Sequence, residues 1–462
     1  MFIGRHFELS ELENQYKKKG FRFIVMYGRR RVGKTALITE FTKGKDSIFY
    51  ISIERNDKAA LDSFSSKVFE RFPAPSFMQG GFTSWDNAFE YISDQLTNKR
   101  IILVIDEYPY LVSGNTSVSS ILQKYIDTKF IQTNLFLILC GSSMNFMKNQ
   151  VLGYKSPLYG RRSAQFHIKP FDYYESGMFF PGATYEDKML AYGVCGGVPQ
   201  YLNAVAEHES VENGIFECFL KKTGILYEEP EILLKQELRE PAVYNTLISS
   251  IAGGASKLNE ISTKSGEENK KCAKYLKSLM DLQIVRKEHP YGVKSQRKGI
   301  YALMDNMFKF WYRFIPQNIT NIESGLGKQV LENRILPSLP SYMGHIFEDA
   351  CKEYMLRNNG SLDLPFMFNG IGRWWGTNPK TKTQEEIDIL ADSDSKAIFG
   401  ECKWTSTEIG MDVFTKLLDK SLVLNQYPKK YYILFSKSGF DKNLEDYAKE
   451  KNIILVSLDL LY

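Results

Sequence analysis

The stretch FIVMYGRRRVGKTALITEF, residues 23–41, decides the fold. Its first five residues are strongly apolar and predict a buried parallel strand, while 34–41 has the composition of a helix. Between them, Gly28, Gly33, Lys34 and Thr35 fill every fixed position of the pattern GxxxxGK(S/T), in the strand-to-helix setting that phosphate binding needs. Glycines let backbone N–H groups turn inward around a polyphosphate, and the helix N-terminus adds its positive dipole end. Lys34 is expected to reach the terminal phosphates and Thr35 to hold Mg²⁺, with Arg31 of the turn in the same binding set.

Reading outward, 47–53 predicts a second strand, and 101–105 (IILVI) a wholly apolar third that ends in Asp106-Glu107. In a nucleoside triphosphatase this placement sets one carboxylate beside Mg²⁺ and another where it polarises the attacking water. Asp106 is therefore the expected magnesium partner and Glu107 the expected catalytic base. Residues 134–141 predict a further strand ending in Ser142-Ser143, where a hydroxyl either senses the γ-phosphate or simply closes the strand. Arg161 and Arg162, in SPLYGRR, offer two readings: a transition-state arginine finger, in cis or from a neighbouring subunit, or a solvated basic turn. Ahead of the loop, residues 1–19 hold an amphipathic helix with Leu9, Leu12 and Tyr16 on one face, which either covers the adenine or serves for packing. Residues 187–231 read as mostly helical, interrupted by GGVPQYL, and are expected to form a lid over the nucleotide. Strands alternating with helices in this order predict a parallel sheet covered on both faces.

A length of 462 residues is too great for one ordinary core. Hydrophobic content of 43% with 24% charge describes a globular chain, and the longest apolar runs are strand-length, which argues against a membrane partner. Arg5, Glu8 and Glu11 interrupt any secretion signal. Six cysteines without a CxxC pair and five histidines without ligand spacing predict reduced thiols, a cytoplasmic location and no structural zinc. A net charge of +5 permits nucleic-acid binding without arguing for it.

FIGR near the start, YGRRRVGKT, ILVIDEYPYL, LCGSSMNFM, SPLYGRR and GGVPQYL together resemble the archaeal-type ATPases, a branch of the AAA+ and STAND-like P-loop ATPases. The resemblance covers the first half of the chain. It implies a RecA-like αβα sandwich with a small helical lid, over residues 1–235, and it implies ATP, since no guanine-reading NKxD is present.

Residues 236–316 change character. Helical patterns at 242–251, 258–263 and 270–282 precede two strands, 283–288 and 299–303, joined by a loop that carries Lys294, Arg297 and Lys298. Three helices and a two-stranded wing make a winged-helix module, whose third helix commonly reads the major groove. Lys270, Lys274 and Lys277 fall on a different face of that helix from Cys272, Tyr275, Leu276, Leu279 and Met280, as phosphate contact would want; solvation alone, or docking on protein, is the other reading. The aromatic cluster in YALMDNMFKFWYRF is expected as interdomain core. Residues 317–339 are polar and read as a linker.

Beyond it, 340–462 reads as a new α/β unit: a helix with Glu348, strands at 370–375, 385–391 and 397–404, then helix, strand, helix, strand. Period two puts Glu401 and Lys403 on one face of their strand, and Asp388 lies on a neighbouring one, so three ionisable groups are expected to converge. Asp388 and Glu401 can ligate Mg²⁺ or Mn²⁺, Lys403 can activate water and steady charge on a phosphodiester, and Glu348 is a candidate further ligand. GHIFE, EIDI and GECKW resemble the PD-(D/E)xK nuclease superfamily, in particular the nuclease-like domain fused behind archaeal-type ATPases. That resemblance implies a restriction-endonuclease-like α/β domain and metal-dependent cleavage of DNA or RNA; the proline of the superfamily name is absent before Asp388. Two functions follow: an ATP-hydrolysing protein that acts on nucleic acid, most simply DNA, with a cleaving C-terminal domain, or an ATP-driven regulatory switch whose C-terminal site only binds. An arginine finger from a neighbouring subunit leaves a homo-oligomer open.

Overall fold

A computed structural model describes residues 2–96, 99–293, 299–379 and 381–462, and the chain divides after Pro170 into two units. In the first, β1 (Arg22–Tyr27), β2 (Ser47–Ile51), β3 (Ile101–Asp106), β4 (Leu135–Gly141) and β5 (Ala164–His167) form one parallel sheet in the order β2-β3-β4-β1-β5. Period two sorts the side chains of the central strands into two cores. Phe23, Val25, Leu103, Ile105, Leu137 and Leu139 face the helices Asp57–Arg71, Trp85–Gln95 and Val118–Thr128. Ile24, Met26, Ile102, Val104, Phe136 and Ile138 face the helix Lys34–Thr42 and Leu12 of the helix His6–Lys17. Both faces are thus covered, as near-continuous apolar strands require. The short β5 buries only Phe166, and no apolar run in the sequence announces it.

Because β4 lies between β1 and β3, the phosphate loop and Asp106 flank the end of β4, where Ser142 sits. All three leave the carboxyl edge of the sheet, the usual place for a ligand in an open α/β fold.

The second unit opens with helices Tyr173–Gly177, Tyr185–Cys195, Pro199–Ala206, Val211–Phe219 and Glu229–Glu237. The segment expected as a nucleotide lid falls in this unit. The reason is packing within the unit. A Cβ on Gly197 would stand 1.8 Å from the Phe171 carbonyl oxygen, so only glycine lets these backbones meet. The Tyr342 hydroxyl donates to the Gly193 carbonyl at 2.7 Å and ties the segment to the long helix Leu339–Arg357.

Helices Pro241–Ala252, Leu258–Ser265 and Asn269–Asp281 follow, then an antiparallel ribbon of β6 (Val285–Glu288) and β7 (Ile300–Leu303). Lys294, Arg297 and Lys298 lie outside the described residues. The helix Asn306–Phe314 buries Phe308, Phe310, Trp311 and Phe314, and the Trp311 indole N–H donates to the Tyr227 carbonyl at 2.6 Å. Residues 317–339, expected as a linker, are instead short helices with Ile322, Val330 and Ile335 buried; isolated apolar anchors in a polar stretch give little periodic signal.

After the helix Leu339–Arg357 come β8 (Gly370–Thr377), β9 (Gln384–Ser393), β10 (Lys396–Lys403), β11 (Lys429–Ser436) and β12 (Ile454–Ser457), in sheet order β12-β11-β10-β9-β8. The β8–β9 and β9–β10 pairs are antiparallel, β10–β11 and β11–β12 parallel. Ile387, Phe399 and Leu434 from one sheet face pack with Phe414, Leu417 and Leu444 of the helices Met411–Ser421 and Lys442–Lys451.

Candidate functional sites

The phosphate loop is held by its own carbonyls. Lys34 is buried and its ammonium donates to the Gly28 and Arg29 carbonyls at 2.9 and 3.0 Å. Gly28 has no room for a side chain, since a Cβ would meet the Ile168 carbonyl oxygen at 2.2 Å, and Gly33 caps the helix at φ +87°. The Thr35 hydroxyl donates to Asp106 Oδ2 at 2.6 Å. A backbone turn at a helix N-terminus, an ammonium, and a hydroxyl beside a buried carboxylate form a donor set that fits a polyphosphate with a divalent cation.

Glu107 takes up left-handed backbone, φ 51°, directly after β3. That conformation is costly for a residue with a side chain and is held at functional sites by the surrounding structure. Here its carboxylate accepts from the Ser142 N–H at 3.1 Å and the Ser142 hydroxyl at 2.8 Å, while its own N–H donates to Asp106 Oδ1 at 2.9 Å. The structure thus brings Lys34, Thr35, Asp106, Glu107 and Ser142 together. Arg161 has a different occupation: its guanidinium forks onto Asp127, with both bonds at 2.7 Å, and donates to the Pro157 carbonyl. That ion pair is partly exposed, which matches the basic-turn reading of SPLYGRR. Arg31 contributes a left-handed backbone, φ 70°, to the loop.

Arg5 of FIGR is buried and donates to the Val32 carbonyl at 3.0 Å and the Lys169 carbonyl at 2.6 Å. It braces the phosphate loop against the exit of β5. The opening segment therefore serves the loop through Arg5, a residue the helical pattern at 9, 12 and 16 does not single out.

At the C-terminal sheet, Asp388 lies on β9 and Glu401 and Lys403 on β10. The Cys402 N–H donates to Asp388 Oδ2 at 2.9 Å, and the Lys403 ammonium to Glu401 Oε1 at 2.7 Å. Burial, then repulsion from Glu401 and Glu348, pushes the Asp388 carboxyl up to about 7, against the Cys402 N–H and the Lys403 charge. For Lys403 burial works against the charge, but Glu401 and Asp388 outweigh it and raise the ammonium's pKa. Lys420, from the helix Met411–Ser421, donates to both Glu401 oxygens at 3.1 and 2.9 Å. Glu348 accepts from His345 Nδ1, 3.1 Å from each oxygen, and that hydrogen bond raises the pKa of the exposed imidazole.

Among the described residues, carboxylate oxygens of Glu348, Glu386 and Asp388 all lie within 4.8 Å of one another. The set expected from sequence was Glu348, Asp388 and Glu401. The structure seats Glu386 in this trio, while two lysines occupy Glu401. Period two on EEIDI places Glu386 beside Asp388, a visible signal; Lys420 sits nineteen positions beyond Glu401 on a separate helix and leaves none.

Residues 2–205 match the family model of an ATPase domain predominantly from Archaea, and residues 311–413 match a family of archaeal and bacterial proteins of unknown function. The uncharacterized protein MJECL04 of Methanocaldococcus jannaschii is 33% identical over 469 residues, covering 97% of this chain and 100% of that protein. The uncharacterized ATP-binding protein MJ0423 of the same organism is 47% identical over 45 residues, 10% of this chain and 76% of that one. Among solved structures, the Walker-type ATPase PABY2304 of Pyrococcus abyssi has a TM-score of 0.51 at 19% identity, over 68% of this chain and 96% of that chain; the likeness concerns the fold. Among the described residues no helix is long and apolar enough to cross a membrane.

Proposed function

The chain is a P-loop ATPase of the same family as the uncharacterized M. jannaschii protein MJECL04, and on that footing we propose that it couples ATP hydrolysis to work on nucleic acid, with metal-dependent phosphodiester cleavage at its C-terminal site. The observation that carries this reading is the trio Glu348, Glu386 and Asp388 beside the Glu401–Lys403 pair of the adjacent strand, in a chain that already holds a phosphate loop.

In the ATP half, Lys34 exchanges its loop carbonyls for the terminal phosphates, and the loop N–H groups bind their oxygens. Thr35 and Asp106 would hold Mg²⁺, which when bound neutralises charge on the phosphate oxygens. Glu107 orients the attacking water. Ser142 fixes that carboxylate to the end of β4 and stands where it can trade the Glu107 bond for a γ-phosphate oxygen.

In the C-terminal half, Asp388 with Glu348 and Glu386 or Glu401 would hold Mg²⁺ or Mn²⁺; the ion, when bound, supplies a more acidic water and charge screening. Lys403 donates to the phosphate oxygen on which charge develops. A helix followed by three antiparallel-paired strands, then helix and parallel strand, supports the restriction-endonuclease-like assignment. Three helices and an antiparallel ribbon support a winged helix, and exposed Lys270, Lys274 and Lys277 on its third helix support contact with DNA phosphates. Purified protein with ATP, Mg²⁺ or Mn²⁺, and plasmid or branched DNA tests the reading. Intact DNA across both metals, alongside normal ATP turnover, would remove the cleavage half.

One observation favours a second reading, in which ATP drives a regulatory switch and the C-terminal site is a binding surface only. Glu401 is nearly fully buried and neutralised by Lys403 and Lys420, the arrangement of a structural ion cluster. A Lys403→Ala protein that hydrolyses ATP but no longer cuts supports the enzyme; one that cuts like wild type supports neither role for that lysine.

A further inference from the structure

A cavity of about 750 Å³ opens beside the acidic trio, lined by Glu348 and Asp388. Its other walls come from the β6–β7 ribbon, the helix Asn306–Phe314 and β8. The ribbon is fixed in place by Tyr291, which follows β6. Its N–H donates to the Arg373 carbonyl at 2.9 Å and its hydroxyl to Asp392 Oδ1 at 2.6 Å. The ring fills the space that side chains on Gly370 and Gly372 of β8 would need, 2.1 and 2.9 Å from their Cβ positions. The ribbon is thereby a wall of the acidic site.

The charges on these walls are uneven. Arg286, Lys309 and Arg373 are engaged by Asp349, Glu288 and Glu386. Lys287, Arg313 and Lys352 line the same space and have no ion pair among the described residues. Trp375 adds a half-buried aromatic face, with the Arg373 guanidinium 5.2 Å from its ring centre. Cations left over beside an aromatic face, next to a carboxylate cluster, suit a ligand that carries both phosphates and flat rings.

We infer that this cavity receives an unpaired stretch of polynucleotide. The inference names the substrate class of the acidic site and rests on the proposed cleavage there. The half-buried aromatic face and the modest volume both favour an unpaired strand, whose bases are free to stack. With a rise of about 3.4 Å and a diameter of about 20 Å, one base pair of duplex occupies roughly 1000 Å³. The cavity is smaller than that slab and holds roughly one or two nucleotides of a single strand. A duplex offers bases to this face where it is frayed, flipped or branched.

Binding measured without metal tests the inference apart from any cleavage. Fluorescence anisotropy of the full-length protein in EDTA is run with a labelled oligothymidylate and with a blunt duplex of equal charge. The expected result is a preference of about tenfold or more for the single strand, with Trp375→Ala weakening it by about fivefold or more at an unchanged melting temperature. The double variant Arg313→Ala with Lys352→Ala, at a more exposed wall, is expected to act alike and to flatten the salt dependence. Equal or tighter duplex binding overturns the inference, as does single-strand binding that ignores both variants but disappears in a Lys270→Ala, Lys274→Ala, Lys277→Ala protein. Cleavage assays with Mn²⁺ then separate the two claims. A cut duplex beside an uncut single strand overturns this inference and leaves cleavage standing; cavity-dependent binding without cutting upholds the inference and removes the cleavage.

Discussion

Glu353 is expected to make the second unit less stable as pH rises through neutrality. It lies on the helix Leu339–Arg357, where Oε2 accepts from the Tyr173 N–H and Oε1 from the Tyr192 hydroxyl, each at 3.0 Å. Burial, reinforced by Asp172 and Asp349, pushes its carboxyl up to about 8 from an ordinary 4.5, and the two hydrogen bonds only partly offset this. Between those values the folded protein keeps a proton that the unfolded chain has lost. Stability therefore falls with rising pH, by about 1.4 kcal/mol per unit, and is flat below and above the window. The whole window amounts to about 5 kcal/mol; Glu353 keeps some solvent access, and screening brings the working figure to about 2–3 kcal/mol. Glu353→Gln retains an acceptor and carries no charge at any pH. Melting curves of both proteins without nucleotide should agree near about pH 4.5 and separate by roughly 4–12 °C near about pH 9, the variant being the more stable. Parallel profiles across that range would refute the reasoning.

Lys34→Ala is expected to abolish ATP hydrolysis, and Glu107→Gln to lower turnover by about 100-fold or more while nucleotide binding persists; filter binding beside phosphate release reads both. Gly28→Ala should destabilise the first unit by about 1–3 kcal/mol, because its Cβ would meet the Ile168 carbonyl at 2.2 Å; thermal melting without ligand measures this. Arg161→Ala should cost under about 1 kcal/mol and leave turnover intact, since the guanidinium is spent on a surface pair with Asp127; a large loss of turnover would restore the finger reading.

The sequence was most legible where one physical constraint acts on adjacent residues. The phosphate loop needs glycine, lysine and threonine at fixed offsets, and a sheet buried on both faces needs apolar runs, so β1, β3 and β4 could be read directly. The third helix of the middle module was legible for a similar reason: Cys272, Tyr275, Leu276 and Leu279 keep one buried face. Contacts between distant residues leave no such mark. Arg5 bracing Val32, Lys420 reaching Glu401, and Gly197 admitting Phe171 depend on how separate elements meet. The short helices at 317–339 bury single residues in a polar stretch, and pattern alone reads them as a spacer.

The seat of Tyr291 bears on how such proteins can be recombined. The phenol of one module rests in a notch that two glycines of the other leave open, and its hydroxyl shares the Asp392 carboxylate with Tyr427. A chimera that kept the ribbon and replaced the sheet would strand the phenol and fill the notch. A chimera that carries the ribbon and the sheet together keeps both contacts.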